Sequence, residues 1–196
     1  MSQLEFTAID APLVRRAAIV IDRARERGLT LVTAESCTGG LLAAVLSEAP
    51  GAGAQLHGGF AVYTKAQKTV ALGVPEALLE RSTAVCEDVA RAMVAGALER
   101  SCADVAVAVT GVAGPACDED GNPVGLVHLA AGRRGAPARH RGFRFGEIGR
   151  GAIRYRAVVA ALDLVETVLD AIVLDEARGP AAAAADTGPV SRRRPA

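Results

Sequence analysis

The sequence predicts an α/β domain of three layers (α/β/α), in which helices cover both faces of a mixed sheet of about five strands. Helical and strand-like segments alternate through the first half of the chain, which is typical of parallel strands linked by crossover helices. Two later strand-like segments, 124–132 and 138–146, are separated by only five residues. They are predicted to form a hairpin that closes the sheet.

Local signals define the elements of the first half. Asp10 and Pro12 mark the start of a helix, because Asp caps helices and Pro fits their first turn. Gly28 ends this helix, and the Pro-Gly-Ala-Gly stretch at 50–53 ends the next. The predicted order is a helix up to Gly28, a strand at 29–34, a helix at 40–49 and a strand at 58–64.

The second half is predicted in the same way. Residues 104–110 are continuously apolar and β-prone, as a central strand should be. Helices are predicted at 65–74, 75–82, 87–100 and 151–174, before and after the strands. The domain is predicted to span residues 1–175. Residues 176–196 are rich in Ala, Pro and Arg, and we expect a disordered tail there.

Composition excludes several classes of function. The chain has 196 residues, with 22 Lys plus Arg against 22 Asp plus Glu and only 3% aromatic residues, so we expect no nucleic-acid partner. No apolar run reaches the ~18 residues of a membrane span, and no signal peptide is visible. The four cysteines and three histidines complete no metal pattern. A cytoplasmic protein with reduced thiols and no metal or cofactor is expected.

The stretch "LVTAESCTGGLLAAVL", residues 31–46, places Ser36 where a strand passes into a helix. Ligands bind at that edge of open α/β sheets, and Gly39 and Gly40 let backbone amides approach an anion closely. The alternative is that these residues have only a structural role and cap the start of the helix, for which Ser, Thr and Glu are also suited. Cys37 is a competing nucleophile if the helix start lowers its pKa.

Three further segments contain candidate residues. "VTGVAGP", 109–115, follows the central strand and suits a phosphate or ribose contact, or else a sharp turn. "YTKAQK", 63–68, offers a lysine that becomes a general base only if burial lowers its pKa. "CDEDGNP", 117–123, starts like an EF-hand loop. Pro123 and Leu129 occupy the Gly and Glu positions of such a loop, so a solvated turn is expected there instead of a calcium site.

Taken together, these segments resemble the CinA C-terminal domain family. The run "AESCTGG", the following Gly-Gly, Tyr and Lys, and "TGVAGP" occur in the family's order, and the likeness runs from about residue 12 to 172. Characterised members are nicotinamide-nucleotide amidohydrolases. The resemblance implies a stand-alone form, without the molybdopterin-binding-like domain of fuller CinA proteins, and a homodimer.

The resemblance also implies roles for individual residues. Ser36 matches the nucleophile, Lys68 the base that activates it, and Tyr63 a tyrosine of the same site. Backbone amides near Thr38, Gly39 and Gly40 are expected to hold the oxyanion. Thr110, Gly111 and Arg150 are expected to contact the substrate, although the turn before Arg150 is one residue longer than the family's usual Gly-Asp-Arg turn.

The implied reaction is hydrolysis of nicotinamide mononucleotide to nicotinic acid mononucleotide and ammonia, in pyridine-nucleotide recycling. Two alternatives remain open: a nucleotide-binding module without turnover, and an amidase for another small carboxamide. Two departures from the family bear on the substrate. Thr64 and Lys65 stand where the family usually has Ser-Asn, and the longer acidic loop 117–123 replaces a glycine-rich one.

Overall fold

Five strands form one mixed sheet in the computed structural model, which describes residues 9–178. The strand order is β2-β1-β3-β4-β5. β1 pairs in parallel with both β2 and β3, whereas β3, β4 and β5 pair antiparallel. The predicted fold class is therefore confirmed, including the closing hairpin. The strands are β1 Leu31–Glu35, β2 Leu56–Ala61, β3 Val105–Gly111, β4 Leu126–Arg133 and β5 Arg139–Arg144.

The helices form the two outer layers. The bounds are α1 Ala11–Glu26, α2 Leu41–Ser47, α3 Ala52–Gln55, α4 Lys65–Leu72, α5 Glu76–Ser82, α6 Glu87–Glu99 and α7 Arg150–Arg178. α1, α2 and α7 pack on one face of the sheet, and α4, α5 and α6 pack on the other. β3 contributes to both cores by alternation, with Val107 on the first face and Ala106 and Ala108 on the second.

Several predicted elements begin or end up to three residues from their observed bounds, as β2 does, and two further differences are larger. The Pro-Gly-Ala-Gly stretch was expected only to end a helix, but a one-turn helix, α3, forms from Ala52. Gly51 adopts φ +83° just before it, a left-handed conformation that suits glycine and lets the chain begin a new turn. At the other end, α7 continues to Arg178. The remainder of the predicted tail, 179–196, lies outside the described residues and stays a prediction.

Strand register brings three chain segments to one edge of the sheet. Glu35, the last residue of β1, pairs with Val109 of β3 and with Ala61 of β2. Because these strands are parallel, the residues that follow each of them emerge at the same carboxyl edge.

No described helix, not even the long α7, has a segment apolar enough to cross a membrane.

Candidate functional site

A cavity of about 320 Å³ opens at the carboxyl edge of the parallel strands. Its wall is built from the segments that follow β1, β2 and β3, from the acidic loop 117–123 and from the start of α7. The cavity brings together six of the predicted site residues: Ser36, Tyr63, Lys68, Thr110, Gly111 and Arg150. The predicted Thr38, Gly39 and Gly40 are not among the residues that line it.

Ser36 and Lys68 form a direct hydrogen-bonded pair inside this cavity. The distance from Lys68 Nζ to Ser36 Oγ is 3.0 Å, and Lys68 Nζ also donates to the Val62 carbonyl oxygen at 3.2 Å. The position of Lys68 follows from the start of α4, where the Thr64 hydroxyl accepts from the Gln67 amide and caps the helix. Lys68 then lies one turn into α4, on its buried face, and is only 2% exposed.

Burial of Lys68 changes its acid–base chemistry. Desolvation lowers the pKa of its ammonium from 10.5 to about 8, although the Glu119 carboxylate acts in the opposite direction. A sizeable fraction of the side chain is therefore neutral just above neutral pH, and a neutral amine can accept a proton from the Ser36 hydroxyl 3.0 Å away.

Cys37 is poorly suited to act as the competing nucleophile. Its thiol is 5% exposed, and burial raises its pKa to about 12. The condition under which Cys37 would compete, a pKa lowered by the helix start, is therefore not met. Residues 41–47 form a helix of only two turns, and removal of the thiolate from water has the larger effect. Little thiolate is present near neutral pH.

Lys65 differs sharply from Lys68, although both lie in α4 three residues apart. Lys65 Nζ lies 2.6 Å from Asp120 Oδ1 and 3.3 Å from Glu119 Oε1, at the mouth of the cavity. The hydrogen bond to Asp120 raises the pKa of Lys65. Lys65 therefore stays a cation, whereas the neighbouring Lys68 can become neutral.

Glu35 is an important residue of the site that the sequence did not single out. Its carboxylate is 1% exposed and accepts hydrogen bonds from the Thr33 hydroxyl and from the amides of Gly40, Leu42 and Ala43, at 2.8–3.1 Å. These amides belong to the unpaired first turn of α2. Glu35 therefore supplies the cap that the sequence pattern suggested, and the hydroxyl of Ser36 is left to contact Lys68.

The amides predicted to hold an oxyanion are largely engaged elsewhere. The Gly39 amide donates to the Ser36 carbonyl oxygen at 3.0 Å, and the Gly40 amide donates to Glu35 at 3.1 Å. Thr38 is fully buried, and its carbonyl oxygen accepts from Arg154. In the described structure the Gly39 and Gly40 amides therefore hold the turn together, and their role toward an oxyanion stays a prediction.

Thr110 and Gly111 shape the cavity wall at the end of β3. The Thr110 hydroxyl is buried and donates to the Ala84 carbonyl oxygen at 2.7 Å. A Cβ at Gly111 would lie 2.7 Å from the Leu126 carbonyl oxygen, so only glycine fits there. In the described structure, Thr110 therefore positions the segment that precedes α6.

Arg150 reaches the cavity despite the longer turn before it. Its guanidinium donates to the Tyr63 hydroxyl at 2.8 Å and to the Gly114 carbonyl oxygen at 2.7 Å. Both acceptors are neutral, so neither compensates the positive charge. Tyr63 is 59% exposed, which places this pair at the cavity mouth.

The acidic loop contributes to the site more directly than expected. Asp118, Glu119 and Asp120 all line the cavity, so the loop is not merely a solvated turn. The sequence drew attention to this loop as an acidic departure from the family, but the contact between Asp120 and Lys65, 55 residues apart, could not be predicted from the sequence. Among the residues that the structure describes, no cluster of His, Cys, Asp or Glu is arranged to hold a metal ion.

Comparisons with known proteins identify the relatives of this chain. The sequence model of the CinA C-terminal domain matches residues 14–169. A CinA-like protein of Parasynechococcus marenigrum is 46% identical over 149 residues, which are 75% of this chain and 35% of the relative. A CinA-like protein of Geobacter sulfurreducens is 48% identical over 71% of this chain and 33% of the relative. The chain thus spans about a third of the length of these curated relatives.

Solved structures agree with this assignment and match over nearly their whole length. The competence/damage inducible protein CihA of Agrobacterium tumefaciens superposes with a TM-score of 0.78 at 41% identity, covering 82% of this chain and 97% of that one. A competence-damaged protein (CinA) superfamily protein of Escherichia coli gives a TM-score of 0.75 at 35% identity, covering 84% and 92%.

The buried lysine predicts an unusual effect on stability. Between pH of about 8 and 10.5 the unfolded chain holds the Lys68 proton and the folded protein does not. Stability from this group therefore rises with pH across that window and is lowest below it. Lys68→Met removes a desolvation cost of about 3 kcal/mol and two hydrogen bonds worth about 1 kcal/mol each. We expect Lys68→Met to be about 1 kcal/mol more stable than the wild type at pH 7 and slightly less stable than it at pH 9.5, because most of the desolvation cost has disappeared from the wild type by then.

Urea unfolding of both proteins at the two pH values measures this difference. Lys65→Met is the matched control, because it removes a partly exposed ion pair and should bring no gain at pH 7. A Lys68→Met protein that is less stable than wild type at pH 7, or a difference that does not change with pH, would contradict the prediction.

Proposed function

The chain belongs to the CinA C-terminal domain family, and on that premise we propose that it is an amidohydrolase of nicotinamide mononucleotide. The products are nicotinic acid mononucleotide and ammonia. The observation that carries this proposal is the 3.0 Å hydrogen bond between Ser36 Oγ and the amine of a lysine that is 2% exposed. A serine hydroxyl needs such a base to attack an amide, and a lysine serves as base only when desolvated.

The first half of the reaction forms an acyl-enzyme. Ser36 Oγ attacks the carboxamide carbon and passes its proton to the neutral amine of Lys68. Lys68 is then an ammonium beside the tetrahedral intermediate, where its charge stabilises the developing oxyanion in a water-poor site. When the C–N bond breaks, Lys68 returns the proton to the leaving nitrogen, and ammonia departs.

The second half of the reaction releases the acid and regenerates Ser36. Water attacks the ester carbonyl and gives a proton to Lys68, which then protonates Ser36 Oγ as the ester bond breaks. The same base thus acts in both halves, and in each half Lys68 takes up one proton and gives one proton back. Glu35 supports these steps indirectly, because it holds the turn that aims Ser36 into the cavity.

Arg150 is proposed to bind the phosphate of the substrate. Its guanidinium lines the cavity, and its two hydrogen-bond acceptors, the Tyr63 hydroxyl and the Gly114 carbonyl, carry no net charge. The planar guanidinium of an arginine can donate two parallel hydrogen bonds to the oxygens of a phosphate. Lys65 is less suited to this role, because Asp120 and Glu119 already neutralise it.

We also propose a cytoplasmic homodimer that recycles pyridine nucleotides. The cysteines Cys37, Cys86, Cys102 and Cys117 are unpaired, which suits a reducing compartment. The dimer and the recycling role rest on the family resemblance alone.

Ammonia release from nicotinamide mononucleotide, nicotinamide riboside and NAD, measured side by side, tests the proposal. We expect the mononucleotide to be the best substrate. Ser36→Ala should abolish turnover and leave binding of the mononucleotide nearly unchanged, because the hydroxyl contributes little to ground-state affinity. Cys37→Ala is the matched control and should keep most of the activity, since its thiol is protonated near neutral pH.

Other outcomes would identify the alternatives. Binding of the mononucleotide without ammonia release would indicate a nucleotide-binding module. Equal activity on the riboside would refute recognition of the phosphate by Arg150. A dead Cys37→Ala and an active Ser36→Ala would reverse the assignment of the nucleophile.

The two lysines of α4 should differ in their effect on catalysis. Lys68→Met should lower kcat by at least ~100-fold, and Lys65→Met by less than ~10-fold, since positioned acid–base groups typically contribute 10²–10⁴. The kcat/KM of the wild type should fall as the pH drops below about 8, because Lys68 gains a proton there. Equal, small losses in both variants would remove the Ser36–Lys68 mechanism.

A further inference from the structure

The acidic loop 117–123 has a fixed internal structure that directs one carboxylate toward the cavity. Asp118 Oδ1 accepts from the amides of Asp120 and Asn122 at 3.1 Å and 2.8 Å, and Asp118 Oδ2 accepts from the Asn122 side chain at 2.8 Å. This turn presents the side chain of Asp120, which is 19% exposed, to the neighbouring wall of the cavity.

The carboxylate of Asp120 joins separate walls of the cavity. Its Oδ1 accepts from Lys65 Nζ at 2.6 Å, at the start of α4, and its Oδ2 accepts from the Ala84 amide at 3.1 Å. The Ala84 carbonyl oxygen in turn accepts from the Thr110 hydroxyl, at the end of β3. Asp120 therefore ties the loop to α4 and to segment 83–85, and through Ala84 to the central strand.

Segment 83–85 needs such support, because its backbone is strained. Thr83 adopts φ +66°, the only positive φ of a non-glycine residue among those described. A β-branched residue is unfavourable there and persists only where its surroundings fix it. The next amide, that of Ala84, is bonded to Asp120, and the next two residues, Ala84 and Val85, line the cavity.

We propose that Asp120 is a positioning residue that sets substrate affinity by holding Lys65 and segment 83–85 in the cavity wall. The inference rests on the proposed function, since the cavity is taken to receive the substrate. Asp120 makes no hydrogen bond to the side chains of Ser36 or Lys68, which are bonded to each other and, for Lys68, to the Val62 carbonyl oxygen. Its loss therefore affects binding more than the chemical step. The lowered pKa of Asp120, caused chiefly by Lys65, keeps the ion pair formed through the working pH range.

Steady-state kinetics of Asp120→Ala tests this role. We expect KM for nicotinamide mononucleotide to rise about 10-fold and kcat to change less than ~3-fold, because hydrogen bonds to a charged group are lost outside the reacting centre. Asp120→Asn keeps an acceptor for the Ala84 amide and should raise KM only about 3-fold. This milder variant tests the role of Asp120 even if Asp120→Ala does not fold. Asp170→Ala is the control, since it removes a similar ion pair, with Arg23, on the α1–α7 face.

A double-mutant cycle tests whether Asp120 acts through Lys65. Each variant raises KM by some factor relative to the wild type. The factor for the Lys65→Met, Asp120→Ala double variant should be smaller than the product of the two single-variant factors, because both substitutions remove the same contact. Additive effects, an unchanged KM in Asp120→Ala, or a fall in kcat as large as the rise in KM would overturn the proposal.

Hydrogen exchange of the Ala84 amide gives a readout that needs no catalysis. Its exchange should be at least ~10-fold faster in Asp120→Ala than in the wild type and unchanged in Asp170→Ala. If the wild type releases no ammonia, the proposed amidohydrolase function fails, and Asp120 is judged by this exchange and by calorimetric binding of nicotinamide mononucleotide. Unchanged exchange and unchanged affinity in Asp120→Ala would then overturn its positioning role.

Discussion

The burial of one lysine beside one serine is the constraint on which the site depends. A lysine is rarely buried, and Lys68 is among the largest fully buried side chains of this protein. An ammonium has three protons to donate, whereas Lys68 Nζ has two described partners: the Val62 carbonyl oxygen, which can only accept, and the Ser36 hydroxyl, which can also donate to the lone pair of a neutral amine. The neutral amine fits this environment better, and its lone pair can accept the serine proton. Burial thus lowers the pKa of Lys68 to about 8, so that part of this side chain is neutral near that pH.

The sheet makes this arrangement possible by bringing β1 and β2 side by side. Ser36 follows β1, and α4, which carries Lys68, follows β2, so the two side chains meet across neighbouring strand ends. Glu35 takes over the capping of α2, which would otherwise compete for Ser36. Consecutive residues therefore have distinct tasks: Glu35 fixes the turn, Ser36 faces Lys68, and Cys37 packs into the core.

Much of the fold was predictable from sequence because its signals are local. Strand-like runs, helix caps and glycine turns predicted the five strands and their mixed pairing, and the family motifs pointed to Ser36 and Lys68. What the sequence could not decide depended on distant packing. The pKa of Cys37 follows from burial, and the use of the Gly40 amide follows from where the Glu35 carboxylate folds back. Spacing could not separate Lys65 from Lys68, since only the folded chain places Asp120 beside one of them.

The chain contains only two lysines, Lys65 and Lys68, so their titration is the most direct test of the central claim. NMR of protein labelled at the lysine side chains should give two signals, assigned with the Lys65→Met variant. The account predicts one signal that titrates near pH 8 and a second that titrates above 10.5. Two signals that both titrate at or above 10.5 would contradict it, because Lys68 could then not act as the base for Ser36.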